Sequence, residues 1–285
     1  MVHHIPRYLA HHMGESQQEK VVLLVVDGLA LDQWIVIRNV LVDQCPHCPH
    51  YLYRESAAFA WVPTITSVSR QAIFAGKPPL YFPASIETTD KEAGQWTQFW
   101  VSQGLNQQGA AYARRLRDGP IDTVKEALSR PQTCVVGLVI DKVDKIMHGM
   151  ELGAAGMHNQ VRQWVLEGYL ATLLDWILEN GFRVYLTSDH GNIEVRGCGR
   201  PAEGVVADLR GERVRVYPNT VLRSGIKERF PHAIEWPSIG LPEGYCPLLA
   251  PERYAFVKEG DRTVGHGGIS LEELVVPFVE IERKQ

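Results

Sequence analysis

Three apolar, β-branched runs constrain this chain more than any other feature: Val21 to Val26, Cys134 to Ile140 and Arg183 to Thr187. Each ends in a polar tail, respectively Asp27-Gly28, Asp141 to Asp144, and Ser188-Asp189-His190-Gly191. A strand that is apolar on both faces must be covered on both faces, and strands separated by helices pair in parallel. The expected fold class is therefore α/β, a three-layer α/β/α sandwich with a mostly parallel central sheet, built as a single domain over residues 1–285. Helices are expected at about Leu29 to Asp43, from Ser67 to Ala75, and from about Gln160 to Asn180. In the last of these, Trp164, Tyr169, Leu170, Leu173, Leu174, Ile177 and Leu178 form a wide apolar stripe. A final strand, about Leu274 to Ile281, follows the loop Val264-Gly-His266-Gly-Gly. Residues 80–130, with Trp96, Phe99 and Trp100 ahead of a polar stretch, read as a cap or insertion. Residues 195–260 are rich in Gly and Pro and carry short strand-like runs such as Arg213 to Tyr217.

Composition narrows the function classes. A chain of 285 residues with 45% hydrophobic content can bury one large core or two modest ones. The formal charge of −4 gives no global attraction to nucleic acid or to an anionic membrane. Binding to either would depend on local basic stretches such as Arg114 to Arg117 or Arg210 to Arg215, which read first as solvated faces. VVLLVV, residues 21–26, is far too short to cross a membrane. The N-terminal stretch lacks the apolar region of a secretory signal, which points to the cytoplasm. Five scattered cysteines do not form a disulfide framework. Cys45-Pro-His-Cys48-Pro-His50 has metal-like spacing but no second ligand pair nearby, so a reduced surface loop is the expected reading.

VPTITSVSRQAIFAG, residues 62–76, places Thr64, Thr66, Ser67 and Ser69 at the start of the expected second helix. Hydroxyls favour such positions as helix caps. The same backbone geometry favours an anion, either an alkoxide or a phosphate. In open α/β sheets the site lies beyond the carboxyl ends of the strands, where this chain has Asp27, Asp144, His148, Asp189 and His190. With His266 and one hydroxyl, these residues can furnish two metal sites of mixed oxygen and nitrogen ligands. Such a pair can clamp the attacking and leaving oxygens of a phosphoryl transfer.

Taken in chain order, Asp27-Gly28, the hydroxyl at a helix start, Asp144-xxx-His148, Ser188-Asp189-His190-Gly191 and Gly265-His266-Gly267-Gly268 resemble the alkaline phosphatase superfamily. The resemblance implies an alkaline-phosphatase-like fold holding two divalent ions, zinc first, with Mn or Mg as alternatives. One would be held by Asp27, Thr66, Asp189 and His190, the other by Asp144, His148 and His266. Thr66-Ser67-Val68-Ser69-Arg70 with Phe74-Ala75-Gly76 is similar to the sulfatase-type signature Cys-x-Pro-Ser-Arg followed by Leu-Thr-Gly. That similarity implies Thr66 as nucleophile and Arg70 as an oxyanion contact. Asp141 also precedes His148, but the step from Asp144 matches the superfamily pattern, which leaves Asp141 to support the ligands from behind. The closing GHGG-x-SLEE is also similar to cofactor-independent phosphoglycerate mutases, whose serine nucleophile has a different context.

Within the superfamily, VVDGLALDQW, PTITSVSRQAIFAGK, LTSDHG and GHGGISLEELVVPFVEI most resemble the PglZ domain of bacterial BREX-type phage-defence systems, from about Val21 onward. The resemblance implies a phosphoester substrate, with DNA as a candidate, and other phage-defence subunits as partners. Three functions compete on this reading: a metal-dependent phosphodiesterase or nuclease, a small-molecule phosphomonoesterase or phosphate mutase, and a noncatalytic assembly module that keeps a metal-filled site for stability.

Overall fold

The structure, a computed structural model, describes residues 1–14, 19–43, 51–150, 152–201 and 211–284. In chain order its strands are β1 (Lys20–Val26), β2 (Tyr51–Phe59), β3 (Ala110–Leu116), β4 (Val135–Ile140), β5 (Phe182–Thr187), β6 (Ile193–Gly197), β7 (Val214–Tyr217), β8 (Ile234–Glu235), β9 (Cys246–Leu249), β10 (Tyr254–Ala255), β11 (Arg262–Gly265) and β12 (Val275–Arg283). The helices are α1 (Ile5–Gly14), α2 (Leu31–Asp43), α3 (Thr66–Ala75), α4 (Glu92–Ser102), α5 (Asp122–Leu128), α6 (Lys142–His148), α7 (Gly153–Leu166), α8 (Tyr169–Glu179), α9 (Thr220–Lys227) and α10 (Leu271–Leu274).

The central sheet has six strands in the order β2-β12-β5-β1-β4-β3. β3, β4, β1 and β5 pair in parallel, and β12 runs antiparallel between β5 and β2. Because strand side chains alternate, the continuous apolar run of β1 splits between two faces. Val22, Leu24 and Val26 pack with Trp34 and Ile37 of α2, Trp164 of α7, and Leu170 and Leu174 of α8. Val21, Leu23 and Val25 pack with Leu9 of α1, Ile73 and Phe74 of α3, and Trp96 and Trp100 of α4. Each fully buried residue of this size contributes about 1.5–3 kcal/mol of transfer free energy. A one-residue slip would exchange the two faces, so the register is strongly specified. The α/β sandwich expected from the three apolar runs is the observed fold.

Four local expectations need correction. The stripe from Gln160 to Asn180 is two helices, α7 and α8, because Gly168 takes a left-handed backbone (φ 84°) that ends one and opens the other. Residues 80–130 do not stand apart as a cap: they supply α4, which packs on the sheet, and the edge strand β3. Its polar composition suits an edge that is open to water on one side. Thr66 and its neighbours do not cap α3, whose N-cap is Ile65 with no side-chain cap bond. The hydroxyls go elsewhere: Thr64 Oγ1 donates to the Gly268 carbonyl at 2.8 Å, and Ser69 Oγ donates to the Asp189 carbonyl at 2.5 Å. Finally, Arg213 and Arg215 are buried rather than solvated. Backbone carbonyls, including Tyr254 for Arg213 and Phe256 for Arg215, satisfy their guanidinium donors. The Cys45–His50 cluster lies outside the described residues. Among those described, no helix is long and apolar enough to cross a membrane.

Two three-stranded sheets, β10-β6-β11 and β7-β9-β8, are built from the Gly- and Pro-rich segment. Val214 and Leu249 of β7 and β9 pack against Val68 and Ala72 of α3. The loop after β11 is thereby brought over the start of α3, next to the ends of β1 and β5.

Candidate metal centre and active site

Each functional side chain sits where a strand gives way to a loop or helix. Asp27 follows β1, Asp189 and His190 follow β5, Thr66 opens α3, Asp144 and His148 lie on α6 after β4, and His266 follows β11. The first two loops are tied together. Gly28 N–H donates to Asp189 Oδ1 (3.2 Å), Leu29 N–H to Ser188 Oγ (2.9 Å), and Asn192 Nδ2 to the Gly28 carbonyl (2.7 Å). Gly28 has φ 74°, and a Cβ there would meet the Asp144 backbone at 3.5 Å. Gly191 has no room at all: its Cβ would stand 1.9 Å from the Glu272 carbonyl oxygen. The His266 loop is clamped by Glu273, which is fully buried, pairs with Arg213, and accepts from Gly268 N–H at 2.7 Å and Ser270 Oγ at 2.6 Å. Glu273 also accepts from Ser270 N–H at 3.1 Å, half of the capping box of α10, which accounts for the Ser270-Leu-Glu-Glu273 motif.

Two clusters result. Asp27, Asp189 and His190 form one, and Asp144, His148 and His266 the other; within each, one ligand atom per residue lies within 4.8 Å of the rest. His190 Nδ1 donates to the Gly191 carbonyl (3.0 Å) and His266 Nδ1 to the Thr64 carbonyl (2.8 Å). That tautomer leaves Nε2 of each ring as a free lone pair, the orientation a metal ligand requires. Thr66 Oγ1 stands 3.0 Å from His190 Nε2 and 3.4 Å from Asp27 Oδ1. Among the described residues Asp189 Oδ2 is buried without a hydrogen-bond partner, a costly state unless a cation lies against it. The donor set of three carboxylates, three imidazoles and a hydroxyl fits two divalent ions of the zinc type.

The electrostatics agree with this. Burial pushes the Asp27 carboxyl up to about 7, and Asp189 adds to it against the opposing pull of Arg70. Burial likewise raises Asp189 to about 6. Burial holds His190 and His266 below the ordinary imidazole value, so both are neutral and ready to ligate. His148, more open, is raised to about 8 chiefly by its hydrogen bond to Asp144. Burial acts to raise Asp144, but His148 outweighs it and holds the carboxyl below its usual range.

Arg70 is buried, with Nη1 on Asp27 and Nε on Glu92 Oε1 at 2.9 Å. It lines a cleft of about 360 Å³ together with Thr66, Asp144, Glu212 and His266. Asp141 is engaged elsewhere: Arg117 grips it in a two-pronged pair at 2.8 and 2.9 Å. Two acids in this neighbourhood escaped the sequence reading. Glu92, raised by burial, holds Arg70 from behind and accepts from Tyr112 at 2.5 Å. Glu212 stands 3.7 Å from His148 Nδ1, and its Oε2 is buried with no hydrogen-bond partner among the described residues. Neither follows an apolar strand, so neither carried the signal that marked the others. A larger cavity of about 530 Å³, lined by Phe230, Tyr254 and Phe256, holds none of the candidate ligands.

A mostly parallel sheet that gathers acids, imidazoles and a helix-start hydroxyl beyond its carboxyl edge defines an alkaline-phosphatase-like domain. Three solved structures share this fold. Murine ectonucleotide pyrophosphatase/phosphodiesterase 5 (ENPP5) superposes with a TM-score of 0.60 at 11% identity, over 93% of this chain and 90% of that one. An inactive variant of the murine protein in complex with AMP gives 0.59 at 12% identity, over 94% and 90%. Human ENPP5 gives 0.56 at 12% identity, over 93% and 89%. No curated protein sequence matches the chain. Residues 6–281 match the BREX system PglZ alkaline phosphatase-like domain, and the chain belongs to that family.

Proposed function

We propose that this PglZ domain is a two-metal phosphoester hydrolase, acting on phosphodiesters with Thr66 as nucleophile. The observation that carries the reading is the position of Thr66 Oγ1, 3.0 Å from His190 Nε2, with the second ligand cluster lining the same cleft. Asp27, Thr66, Asp189 and His190 would hold one ion and Asp144, His148 and His266 the other, with zinc best suited to the donors and Mn or Mg as alternatives. Bound there, the two ions would lower the pKa of the Thr66 hydroxyl and neutralise charge on the phosphoryl oxygens. The Thr66 oxygen attacks phosphorus and one ester oxygen leaves as its alcohol; water then cleaves the bond between the Thr66 oxygen and phosphorus, which releases a phosphomonoester and restores the hydroxyl. Arg70, held by Glu92 at the cleft wall, would donate to the non-bridging oxygens. In keeping with a threonine nucleophile, the AMP-bound ENPP5 variant is described as an inactive threonine-to-alanine protein.

The biological setting we propose is a cytoplasmic phage-defence complex with DNA among the targets, in keeping with the BREX family. The test is turnover of an aryl phosphodiester and an aryl phosphomonoester by the metal-loaded chain and by Thr66→Ala. Diester cleavage lost with Thr66 supports the reading. Cleavage of the monoester alone replaces it with a phosphomonoesterase or mutase. A metal-loaded protein inert toward both leaves the assembly module.

A further inference from the structure

Beside Arg70 the cleft extends into a smaller pocket of about 160 Å³ that shares Asp27, Arg70, Thr89 and Asp144 with it. Every acid of this extension is engaged. Asp27 pairs with Arg70, Asp90 with Arg114 at 3.1 Å, Asp141 with Arg117 at 2.8 Å, and Asp144 with His148 at 3.3 Å. Among the described residues one cation of the pocket is left over: Arg115 lines it, is exposed, and its side chain makes no hydrogen bond or salt bridge, acting on Asp90 only through longer-range charge.

The backbone brings it there at a cost. Pairing between β3 and β4 shifts register between Ala113 and Leu116, and Arg115 within that shift has φ 64°. In a regular strand, successive side chains face opposite sides of the sheet. Here Arg114 and Arg115 both line one pocket, which a β-bulge permits and a regular ladder does not. A left-handed backbone at a long side chain is strained, and such strain collects where function holds it in place.

From this geometry we propose that Arg115 forms a subsite for a second phosphate of the substrate, next to the one that reacts. The inference rests on the phosphoester reading of the main cleft and sharpens it. The preferred substrates carry another phosphate close to the scissile one, as a nucleic-acid backbone or a nucleoside diphosphate does. A planar guanidinium without a carboxylate partner can take such a group with two parallel hydrogen bonds.

The experiment is equilibrium binding of three ligands to the metal-loaded chain: thymidine 5′-monophosphate, thymidine 3′,5′-bisphosphate and thymidine diphosphate. The parent should bind one of the two-phosphate ligands at least about tenfold more tightly than the monophosphate, the scale of a charge-assisted contact. The bisphosphate marks a backbone-spaced partner and the diphosphate a directly linked one. Arg115→Asn and Arg115→Gly both tolerate the left-handed backbone, so both should fold. Both should collapse that preference while leaving monophosphate affinity within about twofold, and Arg115→Lys should keep part of it. Arg115→Gly should at the same time raise the melting temperature, which separates strain held for binding from a structural role. Unchanged preferences in Arg115→Asn, or no preference in the parent, overturn the subsite. Loss of the preference in a protein that hydrolyses nothing would leave the subsite standing and sink the hydrolase reading instead.

Discussion

His190 and His266 stack face to face, their ring centroids 4.0 Å apart and their planes 6° from parallel. They come from loops after different strands, yet each turns Nδ1 to a backbone carbonyl and leaves Nε2 unprotonated, that of His190 facing Thr66 Oγ1. One ring belongs to each ligand cluster. The stack therefore sets the spacing of the two clusters, and Thr64, which holds His266 through its carbonyl, also fixes that loop through its hydroxyl.

From this pairing each histidine is expected to serve one ion. His190→Ala should lose the ion shared with Asp27 and Asp189, and His266→Ala the ion shared with Asp144 and His148. Metal content of the purified variants should fall from two equivalents toward one. Turnover of an aryl phosphodiester should fall by about 10²-fold or more. Two equivalents retained in both variants would refute the assignment.

Replacement of the proposed nucleophile separates chemistry from binding. Thr66→Ala should lower turnover by at least about 10³-fold without loss of the native fold, because the helix keeps its Ile65 N-cap. Thr66→Ser keeps the oxygen and should retain part of the rate. Single-turnover experiments with the parent should show, by mass spectrometry, a Thr66 peptide carrying the phosphoryl group together with the ester group that has not left. A folded, metal-loaded Thr66→Ala that matches the parent would mean that water, not threonine, attacks.

The acids of the first cluster predict how metal affinity depends on pH. Asp27 at about 7 and Asp189 at about 6 lie above the ordinary carboxylate value. Without metal, the folded chain thus holds protons that the unfolded chain has already lost above about pH 4, so metal-free stability falls as pH rises from about 4 to 7. An ion must displace those protons, so its binding tightens over the same window. Melting temperatures with and without zinc should diverge from pH 5 to pH 7.5, and calorimetry in buffers of different ionisation heat should show proton release near pH 6. Stabilisation by zinc that is the same at both pH values would count against the assignment.

Much of the site was legible because its chemistry sits at places that sequence marks well. Asp27, Asp189 and His190 each terminate an apolar run, and the runs announce themselves by composition alone. What escaped has no such flag. β2, YLYRESAAF, is an edge strand whose middle residues Arg54, Glu55, Ser56 and Ala57 are exposed in succession on both faces, so no apolar alternation marks it. The break between α7 and α8 turns on the single Gly168, within a stripe that reads as continuous. Arg213 read as a surface charge because nothing local shows that Glu273, far along the chain, waits for it in the core. Glu212 and Glu92 matter only through tertiary neighbours.

The Arg213–Glu273 pair is a stability test. Both residues are buried, and Glu273 also holds the His266 loop through Gly268 and Ser270. Glu273→Ala leaves a buried guanidinium without its carboxylate, which costs about 3–5 kcal/mol. Chemical denaturation should show that loss, with weakened binding at the second metal position. Arg213→Met with Glu273→Leu should recover much of the stability while the loop stays loose. A Glu273→Ala variant as stable as the parent would show that the pair is not what holds this loop.

Glu212 offers the last test, because its role is invisible in the sequence and specific in the structure. It stands 3.7 Å from His148 Nδ1, on the opposite side of the ring from Asp144, which lies 3.3 Å from Nε2. A carboxylate behind a ligating imidazole fixes its tautomer and orientation, and loss of such a partner typically lowers metal affinity by about 10–100-fold. Glu212→Gln keeps the shape and removes the charge, so it should weaken one ion by about that factor and leave the other unchanged. Because Glu212 Oε2 is buried with no hydrogen-bond partner among the described residues, the same change should not lower thermal stability of the metal-free protein. Competition with a metal indicator resolves the two affinities. If Glu212→Gln binds both ions as the parent does, the acid serves the substrate cleft rather than His148, and the loss should then appear in KM for the diester instead.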